Sequence, residues 1–156
     1  MRTVEETIRE RPELFFGPLG PSAERIASDI ASDALIMGSS SVHCWKNGDW
    51  WFISADIDWL NQPNQTGVNS ENAFETIWGM PEAGDNFFWH SVFARVYGSA
   101  TATSTNGIAV LIKGEQDSLE EFRSLTAHSL PQERIIGFRF QLPNNSFKPT
   151  LLRGAA

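Results

Sequence analysis

The spacing of apolar and polar positions changes along the chain, and each change predicts an element. Thr3-Val-Glu-Glu6 reads as a capping box, with Thr3 as N-cap and Glu6 three positions on. The short helix it opens is interrupted near Pro12, and GPLGP at 17–21 makes a turn. Ser22 caps a second helix to about Asp33, with Ile26 and Ile30 at i,i+4 spacing. Residues 34–60 alternate and predict a β-hairpin that turns at Asn47-Gly48, residue types suited to a type I′ turn. In that register Trp45 faces Trp50, Cys44 faces Trp51 and Val42 faces Ile53. Val42, Cys44, Trp51, Ile53, Ala55, Ile57 and Trp59 then share an apolar face. Ser39, Ser41, His43, Ser54, Asp56 and Asp58 fall on a largely polar one, either open to solvent or the wall of a site.

A short helix is expected at 71–78, closed by Gly79. From Asn86 to Tyr97, steps of 100° gather the apolar residues on half a circumference, which predicts a helix with Gly98 at C′. A second hairpin turns at Asn106-Gly107, joining 99–105 to 108–113. Ser118-Leu-Glu-Glu121 reads as another capping box, opening a helix to about His128, and Glu133–Gln141 as a last strand. The tail from Pro143 has no periodicity and is expected to be mobile. The sum is an α+β domain over 3–141, with a mainly antiparallel sheet of about five strands and helices packed on one face, followed by a tail at 142–156.

Composition narrows the function classes. A chain of 156 residues supports one domain with a real core, and six Trp and eleven Phe make that core aromatic. The net charge of −7 lacks the basic footprint of a nucleic-acid binder but is compatible with a basic protein partner. Cys44 is the only cysteine, which rules out an internal disulfide, and no signal-peptide pattern opens the chain, so a cytoplasmic protein is expected. Cys44 sits in an apolar strand pattern and is expected in the core. No apolar run is long enough to cross a membrane.

Familiar catalytic spacings are missing: there is no Cys/His zinc pattern, no P-loop, no G-x-G-x-x-G and no G-x-S-x-G. His90 lies off the apolar arc of its helix, and solvent exposure is its default. One constellation remains. Asp29 and Asp33 share a helix face at i,i+4 spacing, and Asp56 at a strand end would approach them if that helix packs on the sheet. Three carboxylates in one cleft would bind a cation or raise one another's pKa values. The alternative is that Asp29 and Asp33 are solvated and Asp56 caps a turn.

Several segments, in order, resemble the ATPase domain of the DNA gyrase B subunit and so the wider GHKL ATPases. IRERPELFFG at 8–17 looks like that family's basic R-P-x-x-x-x-G entry segment, and DIASDA at 29–34 is similar to its E-x-x-x-N box. PEAGDNFFWHSVFARVYG at 81–98 matches the length and ends of its PEEG…HAG segment, and LEEFRSLTAHSLPQERIIGFRF looks like the end of that domain. The resemblance implies a shortened Bergerat-type sandwich. By position it puts Asp29 in place of the glutamate that activates water, Asp33 in place of the magnesium-holding asparagine and Asp56 in place of the adenine-binding aspartate. The chain departs from the pattern where D-x-G-x-G becomes Asp56-Ile57-Asp58-Trp59-Leu60, since side chains at the glycine positions would fill the adenine pocket. The glycine-rich phosphate lid is also missing, replaced after Gly98 by SATATSTNGIAVLIKG. The tail NSFKPTLLRGAA resembles the ends of proteins encoded by integron gene cassettes, which implies a bacterial accessory role.

The reading that follows is a non-catalytic domain acting through contacts with a protein whose identity the residues do not reveal, and it uses no cofactor. The alternative is a magnesium-dependent ATP or small-ligand binder using Asp29, Asp33 and Asp56. A third is an unrelated α+β domain with an apolar ligand pocket.

Overall fold

The computed structural model describes residues 3–61, 72–75, 89–127 and 134–141. Helix α1 (Val4–Glu10) opens with the expected reciprocal capping box between Thr3 and Glu6, and Pro12 separates it from α2 (Glu13–Phe16). Ser22 accepts from the Arg25 amide and starts α3 (Ala23–Ile36), which runs three residues beyond its expected end. Strands β1 (Val42–Asn47) and β2 (Trp50–Ala55) follow. After a 3-10 turn at Asn72–Phe74 come α4 (Ser91–Val96), β3 (Gly98–Thr105) and β4 (Ile108–Lys113). Helix α5 (Gln116–Thr126) and strand β5 (Arg134–Phe140) complete the described chain.

The five strands form one antiparallel sheet in the order β1-β2-β5-β3-β4, so the last strand lies in the middle. The α+β class and the five-stranded antiparallel sheet are as expected. The helices do not all share one face. Ile26, Ala27 and Ile30 of α3 pack with Val92 and Phe93 of α4 and with Ile53, Ala55, Ile136 and Phe138 of the sheet. Leu119 and Phe122 of α5 pack on the other face, against Trp50, Phe52, Ala100, Ala102 and Ile135. The strand face read as polar is therefore a second core. Trp50 and Phe52 share it with Ser54, and all three are buried. Each aromatic side chain removed from water there stabilises the fold by about 1.5–3 kcal/mol. Gly137 on β5 lets this layer close, since a Cβ there would lie 2.8 Å from both the Phe52 and the Phe122 rings.

The first hairpin differs from its expected register by two residues. Asn47 pairs with Trp50 and Cys44 with Ile53, which leaves Gly48-Asp49 as the loop. Gly48 has φ +64° while Asn47 and Asp49 stay at negative φ, the requirement of a type II′ turn rather than I′. A shift of two preserves side-chain parity, so the face assignments survive although the partners change. The second hairpin turns at Asn106 (φ +50°) and Gly107 (φ +84°), as expected. Gly98 opens β3 instead of ending a left-handed cap, and Tyr97 closes α4. The expected helix residues 86–88, the stretch 76–79 and the tail from Pro143 lie outside the described residues.

Candidate functional site

Helix α3 meets the start of α4 at Asp33. The side chain is 1% exposed, on the inward face that also carries Ile26, Ile30 and Ala34. One carboxylate oxygen accepts the His90 backbone N–H at 2.7 Å, and the other lies 2.8 Å from His90 Nδ1. His90 is the N-cap of α4 and supplies no side-chain cap, so Asp33 reaches across from α3 to satisfy a donor at that helix end. Burial pushes the Asp33 carboxyl up to about 6, against the downward pull of the His90 contacts. Ionised, it accepts Nδ1–H and fixes the imidazole tautomer, an arrangement that in other settings orients a histidine for proton transfer. The adjacent Ser91 hydroxyl is not available as a nucleophile, because it donates to the Ala73 carbonyl at 2.6 Å in a buried setting. The exposure expected for His90 is corrected here: its side chain is only 17% exposed and is held by Asp33.

Asp56 follows β2 and is exposed. Its carboxylate accepts the Ser39 hydroxyl, the Ser40 hydroxyl at 2.5 Å, and the amides of Ser40 and Ser41 at 3.2 and 3.4 Å. Its own amide donates to the Ser41 carbonyl at 3.2 Å. Asp56 thus ties down the loop between α3 and β1, and these donors, led by the Ser39 and Ser40 hydroxyls, hold its carboxyl down at about 2. Asp29 takes a third position, 3.7 Å from Arg25 Nε one turn back on α3 and 32% exposed. Such a half-exposed pair is worth only a few tenths of a kcal/mol, about 0.3–0.5. Among the described residues no group of three His, Cys, Asp or Glu side chains is placed to hold a metal ion, and Asp29, Asp33 and Asp56 do not form one.

Asp58, two residues beyond Asp56, turns inward. Its oxygens accept Arg134 Nε at 2.8 Å and Nη2 at 2.7 Å, a bidentate pair. Arg134 is 2% exposed at the start of β5 and also donates through Nη1 to Thr103 Oγ1 at 3.0 Å. The signal for this pair is in the sequence, since an arginine leading the apolar run Ile135-Ile136-Gly137-Phe138 calls for a carboxylate, but nothing local names which one. Trp59 and Leu60 are fully buried in the same cluster as Ile26, Ala27, Ile30 and Ala34 of α3. The Trp59 and Trp89 indole N–H groups are buried without an acceptor among the described residues. Cys44 is exposed on edge strand β1 rather than in the core, and partial burial of its thiol raises its pKa, the wrong direction for a nucleophile.

No family model matches the chain, and no curated protein or solved structure matches it either. No helix among the described residues is long and apolar enough to cross a membrane.

Proposed function

We propose that the protein works without catalysis, as a protein-binding domain on a shortened, degenerate gyrase-B-like ATPase framework, in a bacterial accessory role of the kind its cassette-like tail implies. The carrying observation is the complete burial of Trp59 and Leu60 against α3. On the gyrase-B-like alignment of residues, Leu60 and Asp58 occupy the glycine positions beside the base pocket, and here Leu60 and Trp59 are part of the core instead. Two further observations support it. Both oxygens of Asp33, aligned with the magnesium-holding asparagine, are engaged by His90. The oxygens of Asp56, aligned with the adenine-binding aspartate, are engaged by residues 39–41. A nucleotide would have to displace those donors before gaining its own.

Calorimetric titration with ATP and Mg²⁺ tests the reading. The expected result is no saturable heat at millimolar ATP. Saturable binding tighter than millimolar that is lost in Asp56→Ala would overturn it in favour of the nucleotide-binding alternative.

A further inference from the structure

The face of the sheet covered by α5 carries a cleft that the reading above does not use. It has a volume of about 680 Å³ and lies where the first turn of α5 meets β3 and β5. Its walls include the carboxylates of Glu115, Asp117, Glu120 and Glu121 against the single guanidinium of Arg139. Not all of that charge is committed internally. Glu120 pairs with Arg123 at 2.5 Å, and Glu121 accepts from Arg139 at 3.0 Å and from the Trp50 indole at 2.9 Å. Glu115 and Asp117 are exposed, and their carboxylates have no hydrogen-bond or ion-pair partner among the described residues.

Ser118 is the second, independent feature. It was expected to cap α5, but the helix begins three residues earlier than that, with Glu115 as N-cap, which places Ser118 inside the first turn. Its residue exposure is 7%, it lines the cleft, and its hydroxyl has no hydrogen-bond partner. A hydroxyl oxygen offers two acceptor lone pairs, and this one is open to the cleft, unlike the sealed indole nitrogens of Trp59 and Trp89, so a donor entering the cleft can reach it.

We propose that this cleft receives a lysine side chain from the partner protein, its ammonium group accepted by Ser118 Oγ and by the carboxylates of Glu115 and Asp117. The inference rests on the protein-binding reading. A helix N-terminus by itself favours anions, with roughly half a positive charge. Here the two unpartnered carboxylates outweigh it fourfold in charge, so the local preference is for a cation. A compact ammonium with three donors suits scattered acceptors better than a planar guanidinium, which seeks two parallel oxygens. The ligand is a peptide segment rather than an isolated amine because the cleft continues. A second cleft of about 430 Å³, bordered by Glu24, Lys46, Asp49 and Trp51, shares Ser99 and Arg139 with the first. A chain anchored by its lysine has a path to follow past Arg139.

Fluorescence anisotropy with labelled octalysine, and with octalysine acetylated at every Nε, tests the proposal on the full chain. Saturable binding of octalysine and none of the acetylated peptide is expected. Ser118→Ala should weaken binding about tenfold or more with no loss of thermal stability, the scale of one hydrogen bond to a charged group. The surface pair Glu115→Gln with Asp117→Asn should weaken it about tenfold or more. The pair Glu13→Gln with Glu75→Gln, outside the cleft, is the charge-matched control and should change it less than twofold, the scale of a screened surface charge. An equal loss in the control would reduce the effect to diffuse attraction by the acidic chain and overturn the proposal. So would an unchanged affinity in Ser118→Ala, or no octalysine binding at all. ATP binding in the calorimetric test would overturn the non-catalytic reading without touching this titration, and missing octalysine binding would remove the cleft while leaving that reading in place.

Discussion

Asp58 and Asp56 stand two residues apart and do opposite work. Asp58 points into the molecule and neutralises Arg134, which the sheet has nearly sealed from water. Asp56 points outward and gathers the hydroxyls and amides of a surface loop. Asp33 belongs with Asp58, as an inward-facing carboxylate holding a cationic or polar partner from a distant part of the chain. The difference is one of environment. In the interior a carboxylate and its partner are costly to separate, because whichever remains has lost water as well as its counterpart. At the surface, water replaces a lost hydrogen bond with little penalty.

Substitutions should separate the two environments in order of size. Asp58→Ala leaves a buried guanidinium with only Thr103 and should cost about 3 kcal/mol or more in urea denaturation. A cost under 1 kcal/mol would mean that Arg134 finds water in the variant and that the contrast with Asp56 is false. Asp33→Ala strips the His90 amide and ring of their acceptor and should cost about 2 kcal/mol. It should also disturb the start of α4, visible as faster amide exchange at Ser91 and Val92.

The pH dependence should run in opposite directions for Asp33 and Asp56. Asp33 has a folded pKa near 6, raised from 3.8, so its contribution is full below about pH 4 and is lost as pH rises to about 6. Asp56 is lowered to about 2, so its contribution is present above about pH 4 and is lost as pH falls toward 2. Melting temperatures measured from pH 2 to 7 should show the decline between pH 4 and 6 reduced in Asp33→Asn. The decline below pH 4 should be shallower in Asp56→Asn. Parallel profiles for both variants would erase the distinction. The smallest loss among these variants is expected for Asp56→Asn, felt at neutral pH where the carboxylate contributes, with the fold retained and the amides of Ser40 and Ser41 exchanging faster.

The local grammar of the chain was readable in its sequence. The Thr3 box, the Ser22 cap and the Asn106-Gly107 turn each need only neighbouring residues, and each forms as read. The first hairpin was harder, because Asn47-Gly48 and Gly48-Asp49 are both credible tight turns. The grip of β5 on the far side of β2, with Phe52 opposite Gly137, belongs to the arrangement that selects the second. Ser54, Asp56 and Asp58 give the face of the second core a polar look, although Trp50 and Phe52 stand on that same face at period-two spacing. Ser118 has the form of a cap, but it lies buried in the first turn of a helix that starts at Gln116. The pairs Asp33–His90 and Asp58–Arg134 span 57 and 76 positions, and no periodicity carries information across such distances.

The central place of β5 has a consequence for how the chain is made. The ribbons β1-β2 and β3-β4 can each zip from a tight turn, but they meet only through β5, the last of these five strands to be synthesised. Until that strand leaves the ribosome, the inner edges of β2 and β3 both present unpaired backbone groups, the condition that invites pairing between chains. Emergence of residues 134–140 is thus the closing step for the whole sheet. Pulse-labelled exchange during refolding should find the β2 and β3 amides protected together with those of β5, while the outer-hairpin turns settle earlier.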